Sequence, residues 1–203
     1  MTNQNKLLLS GGILWFALMY WLGSRGAFMS GPNQPPVGIA SAFAIPIVLF
    51  LVAVRISATW RATVVSIPPI FLISLNGWRF IGLGFIMGYA EGLLPGGFAW
   101  PAGLGDIFMA VTAPWVATRV AADDRFRFGP GFLVWNLLGI ADFVDAVFWG
   151  TLYMWPGYTA GGSTTLMQRL PFVLIPTFFV PLVAIGHFTL LQQRRNAAYQ
   201  AKA

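Results

Sequence analysis

Residues 37–56 read VGIASAFAIPIVLFLVAVRI, a run of twenty residues in which Arg55 near the end is the only charged side chain. A helix that crosses the hydrocarbon layer of a bilayer needs about 20 mostly apolar residues. This run therefore predicts a transmembrane helix, and the rest of the chain repeats the same kind of segment.

The overall composition agrees with a membrane protein. Of the 203 residues, 57% are hydrophobic and 9% are charged, whereas a typical soluble domain has about 25% charged residues. The length suits one domain covering residues 1–203.

Six segments are long and apolar enough to span a membrane, and proline- and glycine-rich stretches separate them. We therefore predict an all-α fold, a single bundle of six transmembrane helices. The first segment has no small-residue cleavage site after it, so we expect it to be retained as a helix. The predicted helices cover about 7–23, 37–56, 69–91, 101–120, 131–153 and 170–192.

The basic residues predict the orientation. With the N-terminus inside, nine of the twelve lysines and arginines fall in or beside cytoplasmic segments, and only Arg25 and Arg169 fall outside. Such an excess is the positive-inside pattern. We expect a multi-pass protein of a cell membrane, of the bacterial inner-membrane type, with both termini cytoplasmic. The basic residues form no single patch, which argues against nucleic acid as a partner.

Several kinds of functional site are excluded by the composition, and others have no recognisable motif in this sequence. The chain has no cysteine, which excludes disulfides, thiolate metal sites and cysteine nucleophiles. Its single histidine excludes a haem held by two histidines of one chain. No phosphate loop, HExxH pair, GxSxG elbow or dinucleotide fingerprint occurs. We expect no cofactor and no metal site, and no catalytic residue can be named.

Membrane topology does not account for four charged residues, which lie inside the predicted helices: Arg79, Asp106, Asp142 and Asp145. An arginine near the midplane costs roughly 2.5–3.5 kcal/mol and so needs a partner or water. Arg79 and Asp142 lie at similar depths, which predicts that they pair. Asp106 has two interpretations of equal weight: an N-cap of the fourth helix, or a member of this polar cluster.

The number of acidic groups also matters. An ion pair that only holds helices together needs one arginine and one carboxylate, yet this cluster contains up to three carboxylates. The surplus acids would have to be protonated, hydrated or bound to a cation. This favours a site for protons or cations in the outer half of the membrane, between the third, fourth and fifth helices.

Other polar residues are secondary candidates. Asn76 shares a face with Arg79, Glu91 marks the outer end of the third helix, and Asn136 is a further polar contact. His187 is placed near the inner end of the sixth helix, where a histidine is usually interfacial. Residues 92–105 form an uncharged, glycine-rich loop, either a short interfacial connection or a re-entrant lid over the acids.

Three functions fit these features. The first is binding or transport of a small solute or cation through the Arg/Asp cluster. The second is a membrane-embedded enzyme acting on a lipid or isoprenoid, with paired aspartates as acid and base. The third is a non-catalytic subunit of a membrane complex. Apart from membrane lipid, the sequence identifies no partner, and it leaves the oligomeric state open.

Overall fold

The computed structural model describes residues 3–31, 34–158 and 160–200, and these residues are helical with no strand. This confirms the all-α prediction. Eight α-helices are present in the described ranges: α1 Asn3–Ser24, α2 Val37–Ile56, α3 Ala58–Val65, α4 Pro69–Ser74, α5 Gly82–Ala90, α6 Gly96–Ala122, α7 Pro130–Leu152 and α8 Val180–Gln200.

Four helical stretches in the described part of the chain are long and apolar enough to cross a membrane: Val37–Ile56, Pro69–Ala90, Pro130–Leu152 and Ile175–Ala197. The apolar part of α1, Leu8–Ser24, is shorter. Helix α6 has 27 residues. Its glycines, prolines and Asp106 make it less apolar than the four candidate membrane-spanning stretches.

Two predicted boundaries are wrong. Helix α6 begins at Gly96, after Pro95, so most of the stretch 92–105 is neither a surface loop nor a re-entrant lid but the first turns of a helix. The last helical stretch begins at Ile175 rather than near 170, with a π-helical turn at Ile175–Phe179. The short helix α3 lies within the expected connection between the second and third segments.

The stretch Pro69–Ala90 is continuous but not uniform. Between α4 and α5 it tightens into a 3₁₀ helix, Leu75–Ile81. In a 3₁₀ helix, side chains three residues apart eclipse one another. Asn76 and Arg79 have this spacing and are both buried, so the local winding directs two polar groups to the same face of the bundle.

Glycines allow α5 and α6 to pack closely. A Cβ atom on Gly82 would lie 2.5 Å from the carbonyl oxygen of Gly103, and a Cβ on Gly103 would lie 2.9 Å from that of Gly82. The small-residue pattern Gly84-xxx-Gly88 also allows close packing, but Gly84 is exposed and the tight contact forms elsewhere.

Helix α6 lies at the centre of the bundle and packs against α4, α5, α7 and the 3₁₀ segment, while α8 packs against α2, α4 and α7. Four buried apolar clusters are present in the described part of the chain, and two of them include residues of α6. One includes Phe85, Phe98 and Val183, and the other includes Leu72, Met109 and Val116.

The Gly82–Gly103 contact can be tested by adding one methyl group. Gly82→Ala should lower the unfolding free energy by about 1–3 kcal/mol, since overpacking forces the backbones apart. The measurement is unfolding of the purified protein in detergent. Gly77→Ala in the same helical stretch is the control, because a Cβ there meets nothing within 4 Å. Equal stability of the two variants would show that the contact is absent.

Candidate functional site

Arg79 is fully buried and donates hydrogen bonds to three side chains. Its Nε donates to Asp106 Oδ1 at 2.7 Å, and its Nη1 donates to Asn76 Oδ1 at 3.3 Å. Its Nη2 donates to Asp142 Oδ2. The guanidinium therefore joins the 3₁₀ segment to α6 and α7. This is the arrangement predicted for Arg79 and Asp142, and it also includes Asp106.

An aromatic ring covers the guanidinium. The Cζ atom of Arg79 lies 4.1 Å from the centre of the Phe143 ring. A cation over a ring face is attracted by the ring quadrupole, and the attraction is stronger when the pair is desolvated. Phe143 is next to Asp142 on α7 and is itself buried, so one turn of α7 supplies both a carboxylate and a ring to the same cation.

Two glycines make room for the carboxylates. A Cβ atom on Gly105 would overlap the carboxylate of Asp142, and a Cβ on Gly82 would lie 2.8 Å from the Cβ of Asp106. The carboxylate of Asp142 therefore lies directly against the backbone of α6. Any larger residue at position 105 would displace it from Arg79.

A second set of hydrogen bonds connects the arginine to α8. Asn76 Oδ1, which accepts from Arg79, lies 3.2 Å from His187 Nε2. The other ring nitrogen, Nδ1, lies 2.7 Å from Asn136 Oδ1, and Asn136 Nδ2 donates to the carbonyl oxygen of His187 at 3.1 Å. All three residues are 1% exposed or less.

The position of His187 corrects the prediction that it is an interfacial residue near the inner end of its helix. It lies at the middle of the stretch Ile175–Ala197 and is buried. Because this helical stretch starts later and extends further than predicted, His187 lies near the middle of the helix and not near its end. A Cβ on Gly139 would lie 2.5 Å from the imidazole, so the ring packs against the backbone of α7.

Asp145, Glu91 and Asn136 form no hydrogen bond or salt bridge with Arg79 among the described residues, and one of the two predicted roles of Asp106 is wrong. Asp145 is half-buried and forms no salt bridge among the described residues. Glu91 is the exposed residue that ends α5. Asp106 is not an N-cap, because it lies ten residues inside α6. Asn136 binds His187 rather than the arginine.

The cluster formed by Arg79, Asp106 and Asp142 contains one cation and two carboxylates. Asp106 is 5% exposed and, among the described residues, accepts a hydrogen bond only from Arg79. The side chain of Asp142 is 11% exposed. With both acids ionised, the cluster has one negative charge that no described side chain balances.

A cavity adjoins this cluster. It has a volume of about 60 Å³ and lies between α5, α6, α7 and the π-helical turn. Asp106 is the only charged side chain in its wall, and the remaining lining is mainly apolar. The lining residues are Ile39, Phe85, Phe98, Asp106, Phe143, Ala146, Val147, Gly150, Thr151, Met154, Met167, Ile175, Pro176 and Val180.

No group of three or more histidine, aspartate or glutamate side chains in the described ranges is placed to hold a metal ion. The carboxylates of Asp106 and Asp142 are instead directed to Arg79. Among the described residues, the cluster therefore forms no multidentate metal cage.

Comparison with protein families gives one match, a domain of unknown function (DUF8737), which covers residues 36–194. The chain belongs to this family. The matched region includes Arg79, Asp106, Asp142 and His187, so the whole polar network lies inside the family domain. The search of curated proteins and the search of solved structures each find no match.

The charge count predicts an order of stabilities. Arg79→Gln leaves two buried carboxylates without a cation and should cost about 3–5 kcal/mol of unfolding free energy. Asp142→Asn should cost less, because Arg79 and Asp106 remain as a one-to-one pair. Asp145→Asn, the matched control one turn away, should stay within about 0.5 kcal/mol of the original protein.

Denaturant or thermal unfolding in detergent measures the three variants side by side. A larger loss for Asp145→Asn than for Asp142→Asn would contradict the placement of the arginine.

Proposed function

We propose that this chain is a multi-pass membrane protein that binds and transports a small solute or cation at the Arg79–Asp106–Asp142 cluster. One observation carries the proposal. Asp106 both pairs with the buried arginine and is among the residues that line a mainly apolar cavity, so a ligand in that cavity would lie beside the cluster.

The proposal includes six crossings, with α1 and α6 added to the four stretches that are apolar enough by themselves. Helix α6 is 27 residues long and lies at the centre of the bundle, so its neighbours cover the glycines and Asp106 that reduce its apolarity. Helix α1 packs against the π-helical turn through Phe178. Intramembrane polar residues normally face the bundle interior in this way.

Polar contacts near the last turns of α8 support the proposed cytoplasmic side. Gln193 Nε2 donates to the carbonyl oxygen of Ile67 at 2.8 Å, and Arg194 Nη1 donates to that of Gly129 at 3.0 Å. Basic residues cluster in these same connections, among them Arg125 and Arg127. In our proposal both chain termini lie on this side.

The two sides of the cluster differ, which suits a transport site that opens to one side at a time. Towards the proposed cytoplasmic side, Leu72, Met109 and Val116 belong to a buried apolar cluster. Towards the other side, the cavity extends from Asp106 to Thr151 and Met154 at the end of α7. In our proposal a ligand enters this cavity from the outer side.

Flux measurements test the transport proposal. Vesicles reconstituted with the purified protein should show solute or proton flux above that of protein-free vesicles. Asp142→Asn and Arg79→Gln should abolish it, and Asp145→Asn should retain it. Unchanged flux in correctly folded Asp142→Asn and Arg79→Gln proteins would remove these residues from the mechanism.

A structural role is the second candidate, and the closed geometry of Arg79 favours it. The guanidinium is 0% exposed and its three nitrogens all bind side chains, as expected of a contact that holds helices together. In a non-catalytic subunit of a membrane complex, Asp142→Asn would lower abundance and complex recovery while no intrinsic flux would exist to be lost.

The absence of cysteine makes the topology directly testable. Ala160→Cys lies in the proposed outer connection and Ala122→Cys at the proposed inner end of α6, and both positions are exposed. In intact cells a membrane-impermeant maleimide should label the first variant only, and both after permeabilisation. Labelling of Ala122→Cys in intact cells would contradict the orientation.

A further inference from the structure

Each carboxylate of the cluster uses one oxygen to bind the arginine and leaves the other free. Asp106 Oδ1 and Asp142 Oδ2 accept hydrogen bonds from Arg79. Asp106 Oδ2 and Asp142 Oδ1 accept none among the described residues. The two acidic side chains are only 7% and 11% exposed, and a buried charged oxygen without a donor is costly. Each free oxygen is therefore a place where a proton would lower the free energy.

The surroundings of Asp106 offer little else that could stabilise a second charge. Its carboxyl group borders the cavity of about 60 Å³, and Thr151 is the only other lining residue with a side-chain oxygen. Burial in such an apolar wall disfavours the ionised form of an acid. A metal ion or an organic cation would need several acceptors here, whereas a proton needs only the carboxyl oxygen to which it binds.

Asp142 has different surroundings that lead to the same conclusion. Its carboxylate lies against the backbone of Gly105, where an added Cβ would overlap it, so that side has no room for a larger ligand. Asp145 lies three residues further along α7 and forms no salt bridge among the described residues. It adds a negative charge on the same helix and none that is positive.

The groups on the neighbouring elements leave one negative charge over. Arg79, from the 3₁₀ segment, is the one cation that contacts either acid among the described residues. Helix α5 has no charged residue. On α8, His187 contacts Asn76 and Asn136 rather than either acid. Two carboxylates on one guanidinium therefore need one more positive charge, and acids coupled in this way take up a proton as a pair.

We propose that Asp106 and Asp142 together hold one proton at neutral pH, and that this proton is the cation of the proposed transport function. The second part rests on the proposed function, since it names the ion carried at the same site. With the proton bound, the cluster consists of Arg79, one carboxylate and one carboxylic acid and is neutral. Loss of the proton leaves an unbalanced buried charge, so release requires a conformation in which one acid reaches water.

Infrared spectroscopy of the full-length protein in an ester-free detergent tests the bound proton. The chain has six aspartates and glutamates in all, and Glu91, Asp123 and Asp124 are exposed. Few groups can therefore contribute to the carbonyl band of a protonated carboxylic acid at neutral pH. The original protein should show this band, and isotope labelling of aspartate should shift it. Absence of the band overturns the proposal without recourse to any variant.

Three variants test whether charge balance holds the proton. Asp106→Asn and Asp142→Asn should each abolish the band, because the remaining acid then forms a one-to-one ion pair with Arg79. Asp145→Asn is the matched control and should retain it. Elution of each variant as a single species in gel filtration verifies its fold. Loss of the band in only one of the two cluster variants would show that the proton belongs to one acid regardless of the arginine, which contradicts the proposal.

Proton flux tests the transported ion separately. A pH-sensitive dye inside reconstituted vesicles should report proton entry under a pH gradient, with loss in Asp106→Asn and retention in Asp145→Asn. If the band behaves as expected and no proton flux occurs, the bound proton stands and its transport is wrong. If the band is absent while another solute or cation crosses in a manner that depends on Asp142, the proton assignment is wrong and the proposed transport site stands.

Discussion

The structure depends on one buried cation. A buried charge without a partner is costly, about 3–5 kcal/mol, and Arg79 is fully buried, so this residue determines what must surround it. Asp106 on α6, Asp142 on α7 and Asn76 on the 3₁₀ segment supply one partner each. Since these partners come from separate segments, the helices can meet their polar requirements only by packing together at this level.

The need to surround Arg79 with partners also explains the positions of two glycines. Short contacts between Arg79 and two carboxylates require that helix backbones approach closely, and Gly82 and Gly105 allow this where any side chain would intervene. The hydrogen bond between His187 Nε2 and Asn76 Oδ1, which accepts, then includes α8 in the same layer. The polar layer lies between two apolar clusters, and one of them, which includes Phe85 and Phe98, also lines the cavity beside Asp106.

Much of the fold and part of the cluster could be predicted from the sequence, because hydropathy and charge act over whole segments. The all-α fold and the proximity of Arg79 to Asp142 followed from segment length and depth. The details of local winding could not be predicted in this way. The glycine-rich stretch after Pro95 is helical because its glycines serve helix packing, whereas composition alone favoured a loop. His187 was placed at the wrong depth because the helix boundary near 170 was wrong, and Asp106 had two interpretations that only the position of the α6 N-terminus distinguishes.

Asp142 and Asp145 show most clearly which part of the cluster the sequence could not predict. They share a helix face and differ by less than one turn, so sequence reasoning grouped both with Arg79. In the structure only Asp142 forms a salt bridge with the arginine among the described residues. The choice depends on which turn of α7 faces Gly105, and that contact is made between helices far apart in sequence.

A double-mutant cycle tests the central claim most directly. Unfolding free energies of Arg79→Gln, each aspartate-to-asparagine variant and the corresponding double variants give the coupling of Arg79 to each acid. We expect coupling of at least about 1 kcal/mol between Arg79 and each of Asp106 and Asp142, and coupling close to zero between Arg79 and Asp145. Equal coupling to all three acids, or no coupling to Asp106 and Asp142, would contradict it.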